Sequence, residues 1–447
     1  MSAFSQASKI LKEKVPIHLI VAGSAWISRI ITAGINLISL RILTDGLGTQ
    51  NYSVFALITG LMGWYLLVDL GMGASLQNYI SELRAKGQDY YKYIKNVTLL
   101  SLGVGLIFIL ALYIFSPFLS GIFLKQFNFL SDTEKSHVFF IAGALYVVFT
   151  LASVSYKIWY AEMKGYLSNI LPAVASIITL IGISIVSYTD IADKLFWSLV
   201  AFIGPTSLIA AISLWYCLSK APKSSWKIDK NIIKNIYGRG FHFWFFAIMS
   251  AVVLQIDYIV MSQYASSEDI VIYNITAKIY ALVFFIYNAV LMALWPVFTE
   301  TATKGKWQKV KKYLKKYTLY GILFIVVSVL GLILLMPLLI SLVSPNLKIE
   351  VPILFIAIMG LYYIVRVWTD TYATFLQSMS SMKTFWIWTP LQAICSLVLQ
   401  LIFVPKYSIY GILIGLIGSY LLTVLWAVPM SVYRIINIKQ KQVKQID

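Results

Sequence analysis

The chain has 447 residues, 60% of them hydrophobic and only 12% charged, which is too apolar for a soluble globular protein. Its formal net charge of +18 would suit nucleic acid, but the basic residues gather beside apolar runs rather than in one patch, so the partner is expected to be a membrane and not nucleic acid. Two cysteines inside apolar runs, Cys217 and Cys395, and three scattered histidines offer neither a disulfide framework nor a metal site.

In chain order, the polar and basic stretch Ser2 to Pro16 carries no cleavable signal, so the first helix is expected to stay in the mature protein. A helix needs roughly 20 apolar residues to cross the hydrocarbon core. Twelve runs qualify, near 17–40, 52–78, 96–119, 137–160, 167–188, 195–218, 241–262, 271–297, 317–341, 351–376, 384–404 and 409–433. The fold class expected is therefore an all-α integral membrane protein.

A basic seam, Lys220 to Arg239, separates six runs from six. Sliding the sequence by 218 residues places Leu76, Glu82, Lys86 and Gly87 on Leu294, Glu300, Lys304 and Gly305. A shift of 220 carries Lys92, Tyr93, Lys95, Thr98 and Leu99 onto Lys312, Tyr313, Lys315, Thr318 and Leu319, and Pro117 onto Pro337. This is an internal duplication. An even number of spans per half makes the repeat parallel, and the expected organisation is a six-helix lobe at 1–219, a basic linker at 220–239 and a second six-helix lobe at 240–447, arranged around a central cavity. Lys and Arg crowd the two tails and the loops after even-numbered spans, whereas the other side holds only Arg41, Lys125, Lys135, Lys194, Lys348 and Lys406. Both termini are thus expected in the cytoplasm. In the seam, Ile232, Ile233, Ile236 and Tyr237 fall at helical spacing, as in a helix lying in the membrane interface against anionic lipid.

Six charges fall inside spans: Arg29, Lys278 and Arg366, and the acids Asp69, Asp257 and Asp370. Each costs about 3 kcal/mol or more at the bilayer centre, so each should face protein or water and have a partner. Arg29 shares a face with Ala25, Thr32, Ala33 and Asn36, a small and polar stripe suited to a cavity wall, with Asp69 as a partner. Arg366 and Asp370 are four residues apart on one helix face that continues through Tyr362, Tyr363, Ala373 and Gln377. Asp257 and Lys278 stand at similar depths on adjacent spans, as a buried pair would. Arg29, Lys278 and Arg366 are the expected substrate-binding residues, because guanidinium and ammonium groups attract an anionic head group strongly where water is scarce. Asp69, Asp257 and Asp370 are expected to couple ions or to hold structural ion pairs.

The run Arg41-Ile-Leu, Leu47-Gly48-Thr-Gln-Asn-Tyr52 and Asp69-Leu70-Gly71-Met72-Gly73 resembles the opening of Wzx-type polysaccharide flippases, members of the multidrug/oligosaccharidyl-lipid/polysaccharide (MOP) exporter superfamily. Asp257-Tyr-Ile-Val, Ser266-Ser-Glu-Asp-Ile-Val-Ile-Tyr273, Ala277-Lys278-Ile279 and Trp295-Pro296 extend the resemblance into the second half, with Ser53 and Val271 standing where a glycine is usual. The resemblance implies a two-lobe bundle with its cavity formed largely by spans 1, 2, 7 and 8, in the inner membrane of a bacterium. It implies transport, by alternating access, of an undecaprenyl-pyrophosphate-linked oligosaccharide such as an O-antigen repeat unit from the cytoplasmic to the periplasmic leaflet. Other polysaccharide assembly proteins are the implied partners. No cofactor is expected, although coupling to protons or sodium ions is open.

A cation-coupled multidrug antiporter of the same superfamily is the nearest rival, and Arg rather than Lys at two of the three internal cations leans against it. A membrane-embedded polymerase or glycosyltransferase would need a sizeable outward loop, and the outward acid pairs Asp190/Asp193 and Glu268/Asp269 read as solvated turns. No Gly-rich phosphate loop appears, so ATP hydrolysis is not expected.

Overall fold

Inside hydrocarbon a backbone N–H or C=O has no water to bond, so a spanning segment must satisfy its own backbone as a helix. The computed structural model describes residues 17–222, 228–343, 350–379 and 381–444. The basic tail before residue 17, seam residues 223–227 and Lys348 lie outside the described residues. Among the described residues every regular element is helical. In the first half these are α1 (Ile17–Gly60), α2 (Met62–Tyr65), a 3-10 turn (Leu66–Asp69), α3 (Met72–Ala85), α4 (Tyr91–Phe123), α5 (Asp132–Ala152), α6 (Val154–Ala161), α7 (Gly165–Tyr188) and α8 (Lys194–Ser219). The second half holds α9 (Lys230–Tyr264), α10 (Ser267–Thr303), α11 (Trp307–Val343), α12 (Ile353–Ser378), α13 (Lys383–Tyr407), α14 (Ile409–Leu422) and α15 (Val424–Lys444).

Ten stretches among the described residues are long and apolar enough to cross a membrane. The first of them, Gly23–Asp69, breaks at Gly48 (φ 67°, ψ 174°) and so contains two of the expected spans, while α9 follows the remaining one. Contacts within the chain define two compact units, Met1–Ile248 and Met249–Asp447, whose border falls inside α9.

Each unit presents large apolar side chains on its outer surface and buries small polar ones among the apolar residues of its core. Ile107, Leu110, Ile114 and Phe118 on α4 are more than half exposed, and so are Val327, Leu330, Leu334 and Leu338 on α11, their counterparts in the repeat. Thr98 and its counterpart Thr318 are buried. Serines and threonines close the helix contacts, as in Ser28 Oγ–H to the Asn169 carbonyl (2.5 Å), Ser116 to Ser136 (2.9 Å) and Ser207 Oγ–H to the Leu145 carbonyl (2.8 Å). Such close polar contacts replace the hydrophobic drive that lipid cannot supply. The duplication reaches into local geometry. Gly87 and Gly305 both take φ +67°. Each ends its helix the same way, with Gly87 N–H to Arg84 O (3.0 Å) and Gln88 N–H to Leu83 O (2.8 Å) repeated as Gly305 to Ala302 (3.0 Å) and Lys306 to Thr301 (3.1 Å). That paired bonding with a left-handed glycine is the Schellman ending, which side chains bearing a Cβ resist.

Three features differ from the sequence reading. The second span is not one helix but breaks between Tyr65 and Met72, where Leu70 (φ 50°) and Gly71 (φ 74°) are left-handed. The seam does not form a separate helix in the membrane interface. Its described residues from Lys230 onward open α9, and the buried face of Ile232, Ile236 and Gly240 is covered by protein, while Lys230, Lys234 and Asn235 stay exposed. Lys95, one of the basic residues of the loop expected after the second span, is fully buried in α4 and donates to the Pro222 carbonyl. Beside it, the Asn96 side chain accepts the Asp229 N–H (2.7 Å), so the seam is tied to adjacent residues of α4 at Pro222 and at Asp229.

The break in the second span is built from these contacts. Asp69 accepts the Gly73 N–H with both carboxylate oxygens (3.1 Å each), capping α3, and the Trp244 indole N–H reaches the Leu67 carbonyl (2.8 Å). Gly71 lies against the backbone of Gly240, and a Cβ there would overlap the Gly240 carbonyl. Arg239 closes the contact by pairing with Glu82 (2.6 Å) and lying 4.2 Å over the Tyr79 ring. The Glu82 hydrogen bond holds the Arg239 guanidinium above its ordinary pKa. Gly71→Ala should therefore cost about 1–3 kcal/mol through overlap and left-handed strain, whereas Gly103→Ala, in open space on α4, should be neutral. Thermal unfolding of the two variants in detergent checks this, and equal midpoints would contradict it.

Candidate functional site

The internal charges divide between the two units. In the first, Arg29 lies exposed on α1 together with Asn36, flanked by half-buried Ala25, Thr32 and Ala33. An exposed guanidinium in mid-span needs water or polar protein rather than lipid chains. Asp69 does not serve as an ion-pair partner in its described contacts. Its carboxylate caps α3, and the Lys157 side chain packs beside Gly73 next to it.

In the second unit, four of the six residues converge. A cavity of about 260 Å³ is lined by Asp257 and Tyr258 of α9, Tyr273 and Lys278 of α10, and Tyr362, Tyr363 and Arg366 of α12. Asp370 joins it through Arg366, since Nη2 of the arginine stands 3.6 Å from Oδ2 of Asp370 one helical turn on. At that distance the contact is an ion pair and not a hydrogen bond. The guanidinium also lies 4.3 Å from the centroid of Phe284, 5.6 Å from Tyr363 and 5.8 Å from Tyr362. Cation–π contacts of this kind hold a cation at about 0.5–2 kcal/mol each without neutralising it. Its Nε–H is buried with no hydrogen-bond partner. A buried donor left unmet costs about 1–3 kcal/mol, which an incoming acceptor recovers.

Asp257 is 6% exposed and takes the hydroxyl of Tyr273 as its hydrogen-bond donor. Next to it, Asn274 Nδ2 donates to the Tyr258 hydroxyl (2.9 Å). The sequence reading placed Lys278 opposite Asp257. Both line the cavity, yet the residues level with Asp257 are Tyr273 and Asn274. The signal was present in the sequence: α9 and α10 are joined only by Ala265 and Ser266, so positions equally far from that turn meet, and Lys278 is one turn further along. Tyr280, which donates to the Ile356 carbonyl (2.7 Å), and Tyr287, bonded to Thr371 (2.6 Å), fix α10 against α12 behind the site. Chemically the cavity offers two cationic groups, an aromatic wall and hydroxyls, with its carboxylates already engaged by Tyr273 and Arg366. That is a place for an anion carrying a hydroxylated or apolar remainder. Among the described residues no cluster of His, Cys, Asp and Glu could hold a metal ion.

If Tyr273 holds Asp257, Tyr273→Phe should cost about 1–3 kcal/mol by leaving the buried carboxylate with the Tyr258 N–H (3.0 Å) as its described donor. A double-mutant cycle with Asp257→Asn should then show the two losses to be less than additive. Full additivity in thermal unfolding would show that the hydroxyl and carboxyl act independently.

The model of a family described as polysaccharide biosynthesis protein matches residues 21–302. A putative O-antigen export protein of Yersinia pseudotuberculosis is 37% identical over 94% of this chain and 96% of its own. A putative O-antigen transporter of Salmonella typhimurium is 38% identical over 95% of this chain and 98% of its own. Among solved structures, the inward-facing conformation of a multidrug resistance MATE family transporter of the MOP superfamily matches with a TM-score of 0.75 over 92% of this chain and 96% of that one, at 14% identity. The lipid II flippase MurJ in an inward closed conformation gives a TM-score of 0.73 over 93% and 87%, also at 14% identity. These two structures show a shared fold, that of the MOP exporters. The sequence relatives and the family match together place the chain in the polysaccharide biosynthesis protein family, as a multi-pass membrane transporter.

Proposed function

We propose that the protein moves an undecaprenyl-pyrophosphate-linked O-antigen repeat unit, or a similar lipid-linked oligosaccharide, from the cytoplasmic to the periplasmic leaflet of a bacterial inner membrane. The observation that carries the reading is the Arg366 guanidinium in the wall of a membrane-embedded cavity, with an unmet Nε–H and Lys278 beside the same space. A pyrophosphate needs such cations where water is scarce, and arginine meets phosphate oxygens with two parallel hydrogen bonds. The names of the relatives, O-antigen export protein and O-antigen transporter, support the cargo class. Arg29 adds positive charge on an exposed face of the first unit.

Alternating access fits a chain of two compact units, each built from repeated helices. Asp370 is the group an incoming anion would displace from Arg366, which makes the ion pair a switch rather than a fixture. Asp257 and Asp370 are the carboxylates available for coupling to protons or sodium ions. Both termini lie in the cytoplasm under this reading, as the distribution of Lys and Arg requires.

Reconstitution in liposomes tests the proposal by following a labelled polyprenyl-pyrophosphate oligosaccharide into the opposite leaflet, alongside efflux of a lipophilic cation. Wild-type protein should translocate the lipid-linked sugar, and Arg366→Ala and Lys278→Ala should each slow it at least about tenfold, the loss of one charge-assisted contact. Arg29→Ala should slow it as well. Cation efflux without lipid translocation would replace the proposal with the multidrug antiporter reading.

A further inference from the structure

A second cavity, in the first unit, is separate from the charged one. It measures about 360 Å³ and opens where three connections meet: the start of the helix after Gly48, the 124–131 segment between α4 and α5, and the turn before α8. None of these connections carries the basic clusters. Its lining combines the carboxylates of Glu134 and Asp193, the amide of Asn51, the ammonium of Lys194, and the rings of Phe129 and Phe196.

We propose that this cup binds a pyranose ring of the cargo glycan. The inference rests on the reading of the cargo as a lipid-linked oligosaccharide and adds a sugar-reading subsite to it. A sugar ring presents adjacent hydroxyls, each a donor and an acceptor, around a face of C–H bonds. Carboxylates accept from such hydroxyls, amide and ammonium groups donate to them, and aromatic rings cover the C–H face. A purely anionic ligand would meet two carboxylates here, and an apolar one would strand four polar groups. The volume lies within the range of pockets that take small molecules, about 300–1,000 Å³.

The walls are held in place. Leu124 and Phe127 are buried and anchor the 124–131 segment, which leaves Phe129 on its surface, 41% exposed, edge-on to Phe127 at 6.0 Å. Ser131 and Glu134 form a capping box: Glu134 N–H donates to Ser131 Oγ (3.3 Å), and Glu134 Oε2 accepts the Ser131 N–H (2.7 Å). The Ser131 hydroxyl is also directed at Oε2 (2.7 Å), so the described bonds of Glu134 all use one oxygen and leave Oε1 for a ligand. Asp193, read from sequence as part of a solvated turn, does lie exposed in the turn just ahead of α8, in a left-handed conformation (φ 54°, ψ 48°), and from there it lines the cup. His137, one turn beyond Glu134, completes the rim.

Saturation-transfer NMR on the purified full-length protein, with soluble trisaccharides of glucose, galactose and mannose as probes, tests the site without any lipid carrier or transport. Wild-type protein should transfer saturation to the ring protons of at least one probe. Phe129→Ala, at an exposed position, and Asp193→Asn should each weaken that binding about tenfold, the loss of one contact to a charged or aromatic group. Gly103→Ala, in open space on α4, should leave it unchanged. Absence of transfer with all three probes, or transfer that survives both cup variants, would overturn the proposal. So would displacement of the probes by inorganic pyrophosphate, which would make the cup an anion site. The liposome assay then tests the cargo assignment: Phe129→Ala should slow translocation severalfold, and a wild-type rate in that variant would overturn it even if soluble sugar binds.

Discussion

A polar group inside hydrocarbon has no water to bond, and most of this structure follows from where each such group finds its partner. Helices satisfy the backbone, so the elements are helical throughout the described residues. Serine and threonine hydroxyls return to carbonyls of their own or neighbouring helices, which lets Ser28, Ser116 and Ser207 sit at helix contacts. The same requirement governs the break in the second span, where the freed Leu67 carbonyl is met by Trp244 and the first turn of α3 by Asp69. A break without those two partners would leave backbone groups unmet at membrane depth.

The internal charges obey the rule in two ways. Asp69 and Asp257 are absorbed locally, one by a helix N-terminus and the other by the Tyr273 hydroxyl. Arg366 is held loosely, by an ion pair at 3.6 Å and by aromatic faces, with one N–H left over. A transporter needs the second kind, because a charge fully satisfied by the protein gains nothing from its cargo. Under the proposed function, an Asp257 engaged by Tyr273 beside a loosely held Arg366 guanidinium favours an anion in the cavity.

The α9 helix connects this chemistry to the rest of the chain. Its first half, up to Ile248, packs within the first unit through Arg239, Gly240 and Trp244, and its second half carries Asp257 into the cavity of the other. The seam before it is tied to α4 through Pro222 and Asp229. The duplicated Schellman endings at Gly87 and Gly305 show that the ancestral half kept its local geometry while the residues around it diverged. Lys95 is buried whereas its counterpart Lys315 is exposed, a difference specific to the half that receives the seam.

The sequence alone determined the membrane class, the twelve apolar runs, the duplication and the six internal charges, because these depend on composition, length and spacing along one helix. For the same reason the Arg366–Asp370 pair was legible: both groups lie on one helix, four residues apart. Only the tertiary structure decided that Asp257 is held by Tyr273, that Asp69 caps α3, and that the apolar face of the seam is covered by protein rather than lipid. It also decided that the exposed turn carrying Asp193 borders a cavity. Each of these depends on which helix lies beside which. Helical periodicity tells which residues share a face but not what that face meets, and buried polar groups take whichever partner the packing brings within hydrogen-bond reach.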